Sequence, residues 1–149
     1  MRSIKTIVGE RQTVTVDSLT TVRDAARTMA GHRIGAVPVL SGGRVAGIFT
    51  ERDILTRVVA EGLSADTTRV ADVMSTELVV AEIAESYDVC LTRMQQAHVR
   101  HLLVLDSGRL AGIVSLRDLM RLDLDEKDEA ITLLNAYVHY IPADQQVRT

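Results

Sequence analysis

Residues 43–55 read Gly43-Arg44-Val45-Ala46-Gly47-Ile48-Phe49-Thr50-Glu51-Arg52-Asp53-Ile54-Leu55, and residues 108–120 answer them as Gly108-Arg109-Leu110-Ala111-Gly112-Ile113-Val114-Ser115-Leu116-Arg117-Asp118-Leu119-Met120. Seven of the thirteen positions are identical: Gly43/Gly108, Arg44/Arg109, Ala46/Ala111, Gly47/Gly112, Ile48/Ile113, Arg52/Arg117 and Asp53/Asp118. Self-similarity at one fixed offset means a single supersecondary unit used twice, which settles the architecture before any local reading. The unit is a strand running into a helix. Val45 to Phe49 is apolar and partly β-branched, whereas from Glu51 onward Ile54, Leu55, Val58 and Val59 recur at the spacing of one helix face. Thr50 and Ser115 therefore stand at strand-to-helix corners.

Outward from these corners, both halves read alike. Thr13 to Val16 is a short strand on β-branched content, and Thr21 caps a helix whose apolar positions are Val22, Ala25, Ala26, Met29 and Ala30. Gly31 or Gly35 closes that helix. Ala36 to Leu40 and Val45 to Phe49 form a hairpin about Ser41-Gly42-Gly43-Arg44, and Pro38 implies that its strand needs no N–H there. The second half repeats the order: a strand at Leu78 to Ala81, a helix from Tyr87 to Ala97 behind Ser86, strands at His101 to Leu105 and Leu110 to Val114, and a helix from Leu116. Ser3 to Gly9, a short helix or an irregular lead-in, corresponds to Val70 to Met74. The expectation is an α/β (α+β) fold. Two β-α-β-β-α units pack sheet against sheet with pseudo-two-fold symmetry, over residues 5–62 and 70–122, joined by a linker at 63–69. Residues 123–149 supply a C-terminal helix and tail. There Ile131, Leu134, Val138 and Ile141 share a face broadened by Leu133, Tyr137 and Tyr140, and Pro142 ends it. That face reads either as a lid on the chain's own core or as a homodimer contact. The acidic run from Asp123 to Glu129 reads as the solvated start of that helix.

Composition narrows the function. A chain of 149 residues with 46% apolar content supports a core without disulfides or metal, and its single cysteine, Cys90, reads as a buried structural thiol. A net charge of −3, with one Phe and no Trp, offers nucleic acid neither attraction nor a stacking platform. No apolar run reaches membrane-spanning length, and polar residues follow Met1 to Lys5 where a signal peptide would be apolar, so the expected location is cytoplasmic. All 17 basic residues except Lys5 and Lys127 are Arg, which suits forked phosphate contacts. His98 and His101 lie close in sequence, but across a helix-to-strand boundary their spacing fixes no shared direction for a metal. There is no Walker loop, no dinucleotide fingerprint and no nucleophile–base pair.

The corners carry the chemistry that remains. A hydroxyl, backbone N–H groups and the positive end of a helix meet at Thr50 and again at Ser115. Asp53 and Asp118 add a carboxylate one turn on, and Arg52 and Arg117 add cationic forks. Hydroxyl and N–H groups suit a phosphate oxygen, and a carboxylate suits a vicinal diol, so the set matches a phosphorylated ribose. Ser/Thr-x-x-Asp is also a helix capping box. Two copies, each behind Gly-Ile-x, favour a ligand role, and Gly47 and Gly112 read as positions that a ligand approaches closely.

Gly-hydrophobic-x-Thr/Ser-x-x-Asp closing a β-α-β-β-α unit, in tandem, resembles a pair of cystathionine β-synthase (CBS) domains, or Bateman module, across about residues 5–122. The resemblance, closest to the short stand-alone bacterial members, implies a regulatory module without catalysis or catalytic cofactor. Such a module binds AMP, ATP, NAD(H) or a related adenosyl ligand in clefts between the repeats. By position, it places Thr50 and Ser115 on phosphate, with Asp53 and Asp118 on the ribose hydroxyls. The strands holding Val14 and Val79, together with Ile34, Ala36 and Val37 and their counterparts up to Leu102, wall the adenine. Arg100 and His101 offer phosphate contacts where the first half has Gly35 and Ala36, so unequal sites are expected. The implied partners are a nucleotide, a second copy of the chain and an unidentified regulated protein. The alternative is a ligand-free adaptor that uses the same fold for dimerisation or partner binding.

Overall fold

The computed structural model describes residues 2–9 and 11–139, and the expectations for Tyr140, Ile141 and Pro142 lie outside them. In chain order the elements are α1 (Lys5–Val8), β1 (Val16–Asp17), α2 (Val22–His32), β2 (Ala36–Ser41), β3 (Arg44–Thr50) and α3 (Glu51–Asp53), which continues as a π-helical stretch over Ile54–Val59. The second half follows with α4 (Val70–Val73), β4 (Val80–Glu82), α5 (Tyr87–Ala97), β5 (His101–Asp106), β6 (Arg109–Ser115) and α6 (Leu116–His139). Each half holds one three-stranded sheet, ordered β1-β2-β3 and β4-β5-β6, in which a parallel pair is followed by an antiparallel hairpin. The expected α/β fold of two packed units is the one observed. Its hairpins turn where Gly42 and Gly43, and likewise Ser107 and Gly108, take positive φ, the geometry that tight two-residue loops demand.

The two halves are interleaved. Ile4 and Val8, at α1, are buried with Leu102, Val104, Val114 and Leu119 of the second half. Val70 and Val73 of α4 are buried with Val37, Val39 and Phe49 of the first. A four-residue helix has no stability of its own, so each is held by the apolar surface it covers. Backbone bonds fix both placements: Ile4 donates to the Glu85 carbonyl at 3.0 Å, and Val70 donates to that of Thr20 at 2.9 Å. Between the sheets, Ala36, Ile48 and Leu103 form a small third cluster that joins the halves.

Several expectations need correction. β1 starts at Val16, not Thr13, and β4 at Val80, not Leu78; Pro38 gives the reason that β1 starts one residue later than its counterpart. In the second half Leu103 N–H donates to the Val79 carbonyl at 3.0 Å, but Pro38, the equivalent of Leu103, has no N–H to fasten Val14. Pro38 loses nothing on its other side, because Ile48 opposite it turns both backbone groups to Ser75. α2 is closed by Arg33 in the left-handed conformation, with neither Gly31 nor Gly35 in that role. Ser86 takes the N-cap position of α5 without a side-chain cap bond. The expected C-terminal helix is present, but it is continuous with the helix that starts at the second corner: α6 runs unbroken from the Ser115 corner to His139. The acidic run therefore lies mid-helix, where Asp123 accepts from Tyr87 at 3.0 Å and from Lys127 at 2.7 Å. The lid reading fails too, since Ile131, Leu133, Leu134, Tyr137 and Val138 are all at least half exposed. Cys90 is fully buried, and burial pushes its thiol up to about 11.

Gly47 and Gly112 are approached closely by the protein itself. A Cβ on Gly47 would stand 2.6 Å from Met74 Sδ and 2.8 Å from the Ser75 carbonyl oxygen, whereas on Gly112 it would meet Val8 Cγ1 at 2.9 Å. The backbone atom cannot step aside, and the methyl can. Gly47→Ala is therefore expected to cost about 1–3 kcal/mol of stability by overpacking, and Gly112→Ala clearly less. Equal losses in denaturant melts would contradict this packing.

Candidate functional site

Both strand-to-helix corners form reciprocal capping boxes. Asp53 N–H donates to Thr50 Oγ1 at 3.2 Å while Asp53 Oδ2 accepts from Thr50 N–H at 3.0 Å. Ser115 and Asp118 repeat this at 3.1 and 2.9 Å. The N–H groups expected to be available are largely spent, because Glu51 N–H also donates to the Gly35 carbonyl and Leu116 N–H to that of Arg100. What remains is side-chain chemistry. Each hydroxyl, having accepted from an amide, still has its own hydrogen to donate, and each Asp53 carboxylate oxygen keeps a further lone pair.

The two corners then diverge. Asp53, 5% exposed, accepts from Ser75 Oγ at 3.0 Å and has Arg57 Nε at 3.7 Å. Arg57 also donates to the Met74 carbonyl at 2.8 Å. In front of this corner opens a cleft of about 370 Å³. Thr50, Arg52, Asp53 and Arg57 of the first half face Thr76, Val79, Arg100 and His101 across it, with His98 and Leu103 also on its walls. Such a volume falls at the small end of the range for ligand pockets, roughly 300–1,000 Å³. Val79, Val99, Leu78 and Ile48 give the cleft apolar surface, and its arginines give it cationic donors. Burial, helped by the neighbouring Arg100, lowers the pKa of His101 against the opposing pull of Glu51 and Asp118.

At the other corner, Asp118 is taken. Arg11 forks onto it, Nη1 donating to Oδ2 at 2.9 Å and Nη2 to Oδ1 at 2.7 Å. The space there shrinks to about 70 Å³, lined by Val8, Arg11, Gln12, Thr13, Val14, Ile34 and the strand Ala111 to Ile113. Burial alone would raise the Asp118 pKa. The Arg11 and Ser115 hydrogen bonds and the Arg11 charge outweigh it and hold the carboxyl below its usual range.

The predicted residues thus separate. Thr50, Arg52, Asp53, Val79, Arg100 and His101 come together at the open cleft, and Val14 and Ile34 line the small one. Ser115, Arg117 and Asp118 line neither. Val37 and Leu102, expected to wall a ligand, are fully buried in the cores of the first and second halves, and Ala36 lies between the sheets. Arg57, Ser75, Thr76 and Arg11 were missed. Arg57 had a signal, its i, i+4 spacing from Asp53; the others come from lead-in segments that only the tertiary fold brings to the corners. Among the described residues no three His, Cys, Asp or Glu side chains gather as a metal site.

Paired β-α-β-β-α units with a cleft between them define a tandem-repeat module, and comparison gives its family. The chain belongs to the CBS-domain family, whose model matches residues 5–60 and again 70–125. It is 36% identical over 124 residues to the CBS domain-containing protein YhcV of Bacillus subtilis, covering 83% of this chain and 88% of that one. The structure of a putative signal-transduction protein with CBS domains from Burkholderia ambifaria superposes with a TM-score of 0.79 at 34% identity, covering 83% of this chain and 95% of that one. The CBS domain protein PAE2072 of Pyrobaculum aerophilum, solved in complex with AMP, gives 0.71 at 25% identity, over 78% of this chain and 89% of that one.

The Arg11–Asp118 pair has a pH signature. A carboxyl with a lowered folded-state pKa contributes stability above its unfolded pKa, near 3.9, and loses it as pH falls through the folded value. The stability difference between wild type and Arg11→Thr is therefore expected to be full at neutral pH, to shrink as pH falls below about 3.9 and to vanish only below the lowered folded-state value. A difference independent of pH in urea melts would contradict the pairing.

Proposed function

We propose that the chain is a regulatory module that binds one adenine mononucleotide, AMP first among candidates, in the cleft between Thr50–Asp53 and His98–His101. One observation carries this reading: an open cleft of about 370 Å³ set before a hydroxyl-and-carboxylate corner. The Thr50 hydroxyl donates to a phosphate oxygen, and Arg100, with Arg52 or Arg57, supplies the opposing charge. Asp53 accepts from the ribose hydroxyls, and the base lies against Val79 and Val99. A ligand held this way touches both halves at once. It favours the arrangement in which both reach it, which is the differential affinity that a sensor requires. The small volume suits a mononucleotide better than NAD(H). The AMP held by the Pyrobaculum aerophilum relative supports the same choice. No residue in the cleft is assigned a catalytic role.

The exposed face of α6 supports a second copy of the chain as partner, because Ile131, Leu134, Tyr137 and Val138 leave apolar surface in water. Sedimentation velocity is expected to show a dimer that Leu134→Glu splits. A monomeric wild type would remove that part of the reading.

Calorimetric titration with AMP, ATP, NADH and S-adenosylmethionine tests the site. We expect one AMP per chain, stabilisation of about 2.7 kcal/mol at 100 times the dissociation constant, and binding at least about tenfold weaker in Arg100→Ala. A phosphate beside His101 favours the imidazolium that burial disfavours, so AMP affinity is expected to rise as pH falls toward the lowered pKa of the free His101. No heat with any adenine ligand would overturn the reading.

A further inference from the structure

The two clefts are built from equivalent segments, so the fixed offset of the repeat pairs their walls residue by residue. Gln12 stands for Glu77, Thr13 for Leu78, Val14 for Val79, Ile34 for Val99, and Gly112 and Ile113 for Gly47 and Ile48. Gly35 and Ala36 replace the bulkier Arg100 and His101. Most of these exchanges leave the second cleft equal or roomier; only Ile34 adds a methylene. Yet it measures about 70 Å³ against about 370 Å³. Among the residues that line the smaller cleft, one exchange runs strongly the other way: Arg11 occupies the position equivalent to Thr76.

Thr76 leaves the space before Asp53 open. Arg11 crosses the equivalent space and seats both terminal nitrogens on the Asp118 oxygens. Those oxygens are the counterparts of the ones proposed for the ribose hydroxyls at Asp53. A forked pair of this kind satisfies the carboxylate in two parallel bonds and is stronger than a neutral contact. Thr13, next but one, is tied down as well, its hydroxyl donating to the Ala111 carbonyl at 2.9 Å. The lead-in segment therefore lies against the second-half strand as a plug anchored at both residues.

We propose that Arg11 is the specificity-determining residue that makes the clefts unequal. Its guanidinium takes the place of a ligand on Asp118 and closes the second cleft, so that this chain carries one adenosyl site where its repeat provides two frames. The proposal rests on the nucleotide reading for the chemistry of the ligand, but not for the closure. Because the second frame has Gly35 and Ala36 where the first has Arg100 and His101, the site released by removing Arg11 takes adenosine itself rather than a highly charged nucleotide.

The experiment follows backbone amide shifts of the full chain by NMR while adenosine or AMP is added to wild type, Arg11→Thr and Thr76→Arg. In wild type only first-cleft amides such as Thr50 and Arg100 are expected to move, and Gly112 and Ile113 stay still. In Arg11→Thr, adenosine moves Gly112 and Ile113 as well, adding a second equivalent. Thr76→Arg is expected to weaken first-cleft binding at least tenfold, and it decides the matter if Arg11→Thr does not fold. Still amides at Gly112 and Ile113 in folded Arg11→Thr, movement there in wild type, or undiminished binding in Thr76→Arg would each overturn the proposal. Unmoved Thr50 and Arg100 in wild type would sink the nucleotide reading instead, while a gain at Gly112 in Arg11→Thr would still establish the plug.

Discussion

Two carboxylates at equivalent corners of a duplicated fold meet different partners, and the unequal size of the two clefts goes with that difference. Both Asp53 and Asp118 close the first turn of a helix, so capping is common ground. Asp53 is then braced from the side by Ser75 and Arg57, which leaves the space before it free. Asp118 is met head-on by Arg11. A carboxylate braced from the side remains a receptor for hydroxyls; one already forked by a guanidinium does not.

The interleaving of α1 and α4 makes these contacts possible. Because each lead-in helix buries its apolar residues in the opposite half, the residues that follow it are delivered across the interface to the opposite corner. Ser75 and Thr76 arrive beside Asp53 just after α4, and Arg11 arrives at Asp118 just after α1. Packing therefore sets the chemistry. Ile4 and Val8 on one side, and Val70 and Val73 on the other, determine which polar residues face which carboxylate.

The repeated hairpin and corner were plain in the sequence, since their signals are local: alternation of apolar residues, paired turn glycines, and a hydroxyl three residues before an acid. The family followed from the same residues. Illegible were features that a distant residue decides. Pro38 shortens β1, although it lies more than twenty positions beyond it. α6 runs through the boundary expected near residue 123 because nothing from Leu116 to His139 is Gly or Pro, and Lys127 pairs with Asp123 across one turn. Gly47 pointed to close approach, but not to the fact that Met74 and Ser75 make it. Half of the candidate site was readable as motif, namely Thr50, Arg52 and Asp53. The opposing wall was readable only in part, through Val79, Arg100 and His101, because Ser75 and Thr76 gain meaning only once the halves are docked.

The central claim is that one cleft receives a nucleotide and the other is closed by the chain's own arginine. A crystal structure of the wild-type chain grown with saturating AMP tests this most directly. The account predicts one nucleotide per chain, its phosphate between Thr50 and Arg100 and its ribose on Asp53, with Arg11 still seated on Asp118. A nucleotide on Asp118, or clear density elsewhere with the first cleft empty, would contradict it.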